Sequence, residues 1–433
     1  SFNPQLASTA HDPLMVRALV ISNGSTTAAI AVVDSCMVAR EELDIAKEAV
    51  AKATAIPTNC QLISATHTHS APFSNASNGT PEENAYQKQL IEGIGQAIIE
   101  AHGRLQPAKI GWGGYDVPDE VFNRRWFLKP GTMPANPFGE TNELAKMNPG
   151  ALSKDLIYPA GPTDPEVSIL SIRDAKSGKP ITLLANYSLH YVGSIPGNQM
   201  SADYFGEFSR LMSNRFFGGN VPDSFVALLS NGTSGDINNI SFSKARPPRE
   251  PFEQIQIVAA KVADASWHAD RAATFSDDLP LAMVEREVTL KMRVPTPEQI
   301  ARSKEILAIT GEGEKKLPKL AKNYAERILA LAEQGETMPI KLQALRIGDL
   351  VIGSVPFETF AEIGLDLKQR SPFADTFIIE LANGAGGYLP TPRQHEFGGY
   401  ETWLSTNKVQ KDSSVIITEQ LLEMFAELKQ GTS

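Results

Sequence analysis

The chain has 433 residues, 42% hydrophobic and 21% charged, enough to bury a full-sized core without disulfide or metal staples. A net charge of −10 and the lack of any basic run argue against nucleic acid and against electrostatic docking on an anionic membrane. Two cysteines exclude a disulfide framework and a cysteine-based zinc module, and no apolar run reaches the length of a membrane span.

Residues 14–22 and 27–34 read as strands, joined by the hairpin-type connection Asn23-Gly24-Ser25. Glu41, Glu42, Ile45, Ala46, Ala49 and Val50 then recur at helical spacing. A third strand, 60–65, runs into Thr66-His67-Thr68-His69-Ser70. Cys36 and Cys60 each lie near the end of a strand, and a bridge or two separate thiols both fit that placement. Pro81-Glu82-Glu83 opens a helix to about residue 103, since proline and acids suit a first turn. Strands follow at 107–113, 166–173, 180–188 and 224–230, with a helix at 203–216. The stretch 129–165 is rich in Pro, Gly, Asn and Met without a period, and reads as a functional loop or lid. Residues 297–334 give two helices around Gly311-Glu312-Gly313, an inserted hairpin whose charges form a solvated face. Strands at 339–347, 349–354 and 374–381 precede a glycine-rich loop and an amphipathic helix at 413–429. The pattern predicts one α/β domain over 1–433, with mixed β-sheets flanked by helices.

The chemistry gathers where strands end. His67 and His69 stand two apart as the chain leaves its strand, so the pleat does not fix their directions. One metal rarely takes both rings from so short a spacing, which favours one ligand and one acid–base neighbour. Four further segments share the design of an apolar strand followed by a polar or glycine-rich break. They deliver His190, then Gly235-Asp236-Ile237-Asn238-Asn239, then Glu358 just past Val355-Pro356, and finally Gly386-Gly387-Tyr388. Two histidines, a carboxylate and an open position make a catalytic zinc arrangement, which activates a bound water and polarises a carbonyl. Each residue alone has a plainer reading. His190 fits a hydrogen-bonded core histidine, Glu358 a first-turn helix acid, Tyr388 a packed aromatic and Asp203 a helix cap. His102 and His268 fall within helices as structural or surface groups, His11 in a loop, and Asp34 has room for a supporting role.

Taken together, these segments resemble the neutral (non-lysosomal) ceramidase family. Ser64-Ala65-Thr66-His67-Thr68-His69-Ser70-Ala71-Pro72 nearly repeats that family's Ser-Ala-Thr-His-Thr-His-Ser-Gly-Pro. Tyr388 in Gly387-Tyr388-Leu389-Pro390-Thr391 and Tyr400 in Gly399-Tyr400-Glu401 fit its pattern, as do His190 after its strand and Glu358 after Val355-Pro356. The likeness runs from about residue 11 to the C-terminus and matches the family's catalytic domain, with no counterpart to its C-terminal β-sandwich.

The resemblance implies one Zn2+ held by His67, His190, Glu358 and Tyr388, with His69 as the acid–base histidine. It also implies Arg124 on the substrate side and Tyr400 as the oxyanion-stabilising tyrosine, while Asp236, Asn238 and His395 border the substrate. One departure stands out: the family's Gly-Asp-Val-Ser-Pro-Asn reads here Gly235-Asp236-Ile237-Asn238-Asn239-Ile240, with Asn238 where the family has an essential serine. An amide is no nucleophile in this chemistry, so a covalent serine route drops out and metal-activated water attacking an amide or ester remains. Ceramide itself also becomes doubtful as the substrate. Two rival readings are a zinc-dependent carbohydrate-active enzyme and a metal-containing binding protein without catalysis. The partner expected in each case is a small molecule, glycan or lipid-like substrate, not nucleic acid. The start at Ser1 fits a processed N-terminus, and the family leads us to expect a secreted or periplasmic protein.

Overall fold

Most strands of this chain are apolar on both faces, and the structure buries both. It is a computed structural model and describes residues 6–74 and 80–431. Three sheets share one central core. The first has the order Val16–Ser22, Thr27–Val33, Gln61–Ala65, antiparallel and then parallel. The second runs Val226–Asn231, Pro180–Tyr187, Glu166–Asp174, Ala108–Asp116, and the third Leu281–Lys291, Thr337–Ile347, Leu350–Val355, Asp375–Glu380. Ile30, Leu62, Leu170, Leu184, Leu228, Leu345, Ile352 and Phe377 from all three meet in one cluster.

Helices cover the opposite faces. Arg40–Thr54 and Pro81–Gly103 pack Val50 and Ile94 on Ala29, Ala31 and Ile63 of the first sheet. Asp203–Phe217 and Glu253–Ala272 pack Phe208 and Val262 on Ile169 and Leu183 of the second. Ala361–Arg370 and Ser413–Gln430 pack Leu367 and Phe425 on Val351 and Ile378 of the third. Consecutive residues such as Ile169 and Leu170 thus enter different clusters, the period-two consequence of a strand with two buried faces. Caps fix the helix starts: Thr80 accepts from the Glu83 amide ahead of Pro81, and Thr296 from the Gln299 amide ahead of Pro297. Each such cap contributes about 1 kcal/mol.

Two features depart from the expected order. Leu281–Lys291 is an eleven-residue strand absent from it; Glu285, Arg286 and Glu287 mask its pattern, and it tolerates them as a sheet edge. The helix expected around His268 spans Glu253–Ala272. The stretch 129–165 is not a plain loop. Ala145–Met147 and Leu156–Pro159 flank Arg125–Leu128 in a small antiparallel sheet whose strands are too short to show a period. Residues 297–334 form two helices, Pro297–Ala308 and Ala321–Ala332, with Ile306 against Ala321 and Ala325. Cys36 and Cys60 are free thiols. Among the described residues no helix is long and apolar enough to cross a membrane.

Candidate metal centre

Each large sheet contains a parallel strand pair, and the loops leaving those pairs converge. His67 follows Gln61–Ala65, His190 follows Pro180–Tyr187, Ser234 follows Val226–Asn231, and Glu358 follows Leu350–Val355. Beyond Asp375–Glu380 the chain reaches Tyr388, which pairs with Glu358 across a two-residue parallel ladder. Parallel register partners project to the same side, so this ladder brings the carboxylate and the phenol together.

The first histidine is held at a cost. His67 has φ 68, the left-handed region that favours glycine, which generally costs about 1–3 kcal/mol. Its amide donates to the Ser35 carbonyl at 2.9 Å and the preceding Thr66 amide to that of Val33 at 2.9 Å. Thr68 Oγ1 donates to the Ser201 carbonyl at 2.7 Å, and Asp12 fixes that segment by accepting from Ser201 Oγ and the Ala202 amide. The kink breaks the strand alternation and lets His67 and His69 face the same centre. Past His190, the Asp203 carboxylate accepts from the Val192 and Gly193 amides at 3.1 and 2.8 Å. That fixes the Tyr191 loop, and the Tyr191 ring stacks on His69 with centroids 3.7 Å apart. Burial raises Asp203 to about 6, against the pull of those amides.

The tautomers follow from the backbone. His67 Nδ1 lies 2.8 Å from the Cys36 carbonyl and His190 Nδ1 3.0 Å from the Ser234 carbonyl. A carbonyl only accepts, so both Nδ1 atoms carry the proton and both Nε2 atoms point inward; against the pull of burial, Cys36 and Glu358 hold the His67 ring well above the ordinary imidazole range, charged in the absence of another cation. Those two nitrogens are 3.0 Å apart, and His69 Nε2 is 3.2 Å from that of His67. Glu358 Oε2 sits 3.3 Å from His67 Nε2 and 3.5 Å from His190 Nε2, buried and without a hydrogen-bond partner. With both rings neutral, as ligation requires, their Nε2 lone pairs and the carboxylate oxygen would repel one another unless a cation stood between them. Ligand atoms of His67, His190 and Glu358 all fall within 4.8 Å of one another. Burial first, then His67 and Arg124, hold His190 well below the ordinary imidazole range, which keeps it neutral for ligation. Burial alone would raise Glu358; His67, the Tyr388 hydroxyl and Arg124 outweigh it and keep the carboxylate ionised.

Arg124 closes the second side. Its Nη2 donates to the Tyr388 hydroxyl at 3.0 Å and the Gly235 carbonyl at 2.8 Å, and Nε to Glu401 Oε1 at 3.0 Å. Arg125 takes the other Glu401 oxygen at 2.7 Å. The Tyr400 ring meets that of Tyr388 edge-on at 5.6 Å, and burial followed by the charge of Glu358 pushes its hydroxyl up to about 12. The structure therefore gathers His67, His69, His190, Glu358, Tyr388, Tyr400 and Arg124.

The remaining expected residues lie behind or beside this centre. Asp236 is fully buried, accepting from Asn123 Nδ2 at 2.6 Å and the Ala361 amide at 2.9 Å. Asn238 sits on the ladder Ile237–Asn238, its amide donating to Asn148 and its oxygen accepting from the Ile240 amide. His395 is buried on Pro392–Phe397 with Nε2 unpartnered; burial and then Arg293, Lys411 and Arg125 push it down to about 3. Asp34 accepts from Arg17 and the Met15 amide at the strand end before Cys36. Sequence reasoning gave Ser234 no role and missed Glu380, Glu401 and Tyr191. The signal for Glu380 was a lone acid inside Phe377-Ile378-Ile379-Glu380-Leu381.

Residues 3–245, more than half of the chain, match the family of the neutral/alkaline non-lysosomal ceramidase, N-terminal. Among solved structures, neutral ceramidase from Pseudomonas aeruginosa shares the fold with a TM-score of 0.65 at 16% identity, covering 96% of this chain and 69% of that one. A ceramidase complexed with C2 gives 0.66 at 16% identity, covering 96% and 70%. No curated protein matches the chain by sequence.

Proposed function

The chain belongs to the neutral/alkaline non-lysosomal ceramidase family, and from that premise we propose a zinc-dependent hydrolase acting on an amide or ester with a lipid-like acyl part. The observation that carries the reading is the unpartnered Glu358 Oε2 facing the inward Nε2 atoms of His67 and His190. Two imidazoles, a carboxylate and a neighbouring phenol suit zinc's preference for a four-ligand nitrogen and oxygen set with room for a reactant. When bound there, such an ion supplies a Lewis acid and brings a water pKa down to about 7.

The chain's own residues do the rest. His69, exposed and stacked on Tyr191, has its ring held well below the ordinary imidazole range by desolvation and then by the charges of His67 and Arg124. A neutral imidazole there takes a proton from the attacking water and returns it to the leaving group. Tyr400 stays protonated at neutral pH and donates toward the developing oxyanion, beside the permanent charge of Arg124. Asn238 has both polar groups engaged by the protein, in keeping with a substrate other than ceramide. Leu144, Leu152, Ile157 and Tyr158, on or beside the small sheet that follows Arg124, are each about half exposed, which suits an acyl chain better than a sugar.

The test is to assay N-acyl amides and esters before and after chelation, with metal content measured in parallel. Activity is expected to vanish with the metal and to return with zinc. Undiminished turnover by the metal-free protein would remove the proposal.

A further inference from the structure

We propose that Glu380 is a positioning residue for this centre, tying the loops that carry His190 and Glu358 to a common anchor; the inference rests on the metal-binding reading above. Glu380 closes the strand Asp375–Glu380 and is completely buried among apolar neighbours, Ile379 and Leu381 included. A carboxylate in such a place is costly unless its oxygens are occupied. Oε1 accepts from Ser234 Oγ at 2.6 Å, while Oε2 accepts from the Thr359 amide at 2.7 Å and the Ser234 amide at 3.2 Å. All three donors belong to segments that touch the candidate ligands.

Ser234 faces His190: its carbonyl lies 3.0 Å and its hydroxyl oxygen 3.2 Å from His190 Nδ1. Thr359 is the residue after Glu358. Proton directions are therefore fixed in series. The Ser234 hydroxyl gives its hydrogen to Glu380 and turns its lone pairs toward His190 Nδ1–H. Burial pushes the Glu380 carboxyl up to about 8 against the pull of those donors, so its part is positional: the hydroxyl it holds fixes the tautomer and tilt of the imidazole whose Nε2 faces the other ligands. The same carboxylate sets the spacing between the two loops, which a second bond reinforces, from the Gly235 amide to the Thr359 carbonyl at 2.7 Å. An ordinary buried acid would need its donors satisfied anywhere; this one draws them from two ligand loops at once.

The experiment compares zinc affinity, by competition with a chromophoric chelator, in the parent chain, E380Q and S234A. E380Q keeps the shape but turns one accepting oxygen into a donor, so it cannot hold both the Ser234 hydroxyl and the two amides, and its affinity is expected to drop about 10–100-fold. S234A keeps the backbone carbonyl on His190 and is expected to show a smaller drop in the same direction. The melting temperature of each metal-free variant gives the contrast, since a purely structural role would lower it without changing the affinity of the molecules that remain folded. Affinity within twofold of the parent in E380Q overturns the proposal. If E380Q does not fold, an unchanged affinity in S234A does so instead. A parent chain that takes up no zinc sinks the metal-binding reading itself, an outcome distinct from either.

Discussion

At the scale of single residues, Tyr400 and His395 make opposite kinds of prediction. Tyr400 lies beside Tyr388 yet outside the set of ligand atoms, and its hydroxyl is held protonated. Tyr400→Phe should therefore lower kcat by about 10²–10³-fold, the usual effect of losing one oxyanion donor, with zinc content unchanged. A loss of metal from the variant would show that Tyr400 is a ligand instead. His395 is depressed to about 3 by burial and by Arg293, Lys411 and Arg125. The sign follows from comparing states: the unfolded imidazole takes up a proton as the pH falls below about 6.5, while the folded one resists until far lower. Its stabilising contribution is complete above that point and is lost on acidification. Between pH 6.5 and 4.5 that loss amounts to about 2 kcal/mol, so His395→Leu should make the stability profile flatter over that window. Denaturant titrations at the two pH values check this, and equal slopes for parent and variant would refute it.

At the scale of elements, a close joint lies between the turn at Ser234–Gly235 and the strand Glu358–Thr359. A β-carbon on Gly235 would lie 2.4 Å from the Glu358 carbonyl oxygen and 2.7 Å from its carbon, both of them backbone and unable to swing away. Gly235→Ala should accordingly cost about 1–3 kcal/mol and displace Glu358, lowering both the melting temperature and the metal affinity. Only the first of these losses would appear if the joint were merely structural. Elements also explain what the sequence made legible. His67, His190 and Glu358 stand at strand ends, where an apolar run visibly gives way to polar residues, so their positions could be read one at a time. Glu380 and Ser234 could not, because a hydrogen bond between residues 146 apart leaves no local spacing. The left-handed turn at His67 was equally silent, since histidine carries none of glycine's signal for it. Short strands such as Ala145–Met147 vanished for a simpler reason: three residues hold too few alternations to count.

At the scale of the whole molecule, the ligand candidates are drawn from all three sheets, and those sheets meet in one core. A cation that binds the folded arrangement has no matching site in the unfolded chain, so its binding energy adds to folding stability. Saturation at about a thousand times the dissociation constant contributes about 4 kcal/mol. Zinc should therefore raise the melting temperature of the metal-free protein in a concentration-dependent way, a calorimetric measurement independent of any substrate. No rise at saturating zinc would mean that the site does not form as described. The helical hairpin 297–334 and the small sheet around Arg125–Leu128 lie outside the three-sheet core. A general loosening of the hairpin has less leverage on the candidate metal site than one in the strands that end beneath it.

The rings of His67 and His190 take their orientation from main-chain oxygens at positions 36 and 234. A substitution rewrites a side chain but leaves the main-chain carbonyl, so this pair of acceptors does not depend on which residues stand at 36 and 234. Both positions can thus change identity and still dictate which nitrogen of each imidazole is left to bind.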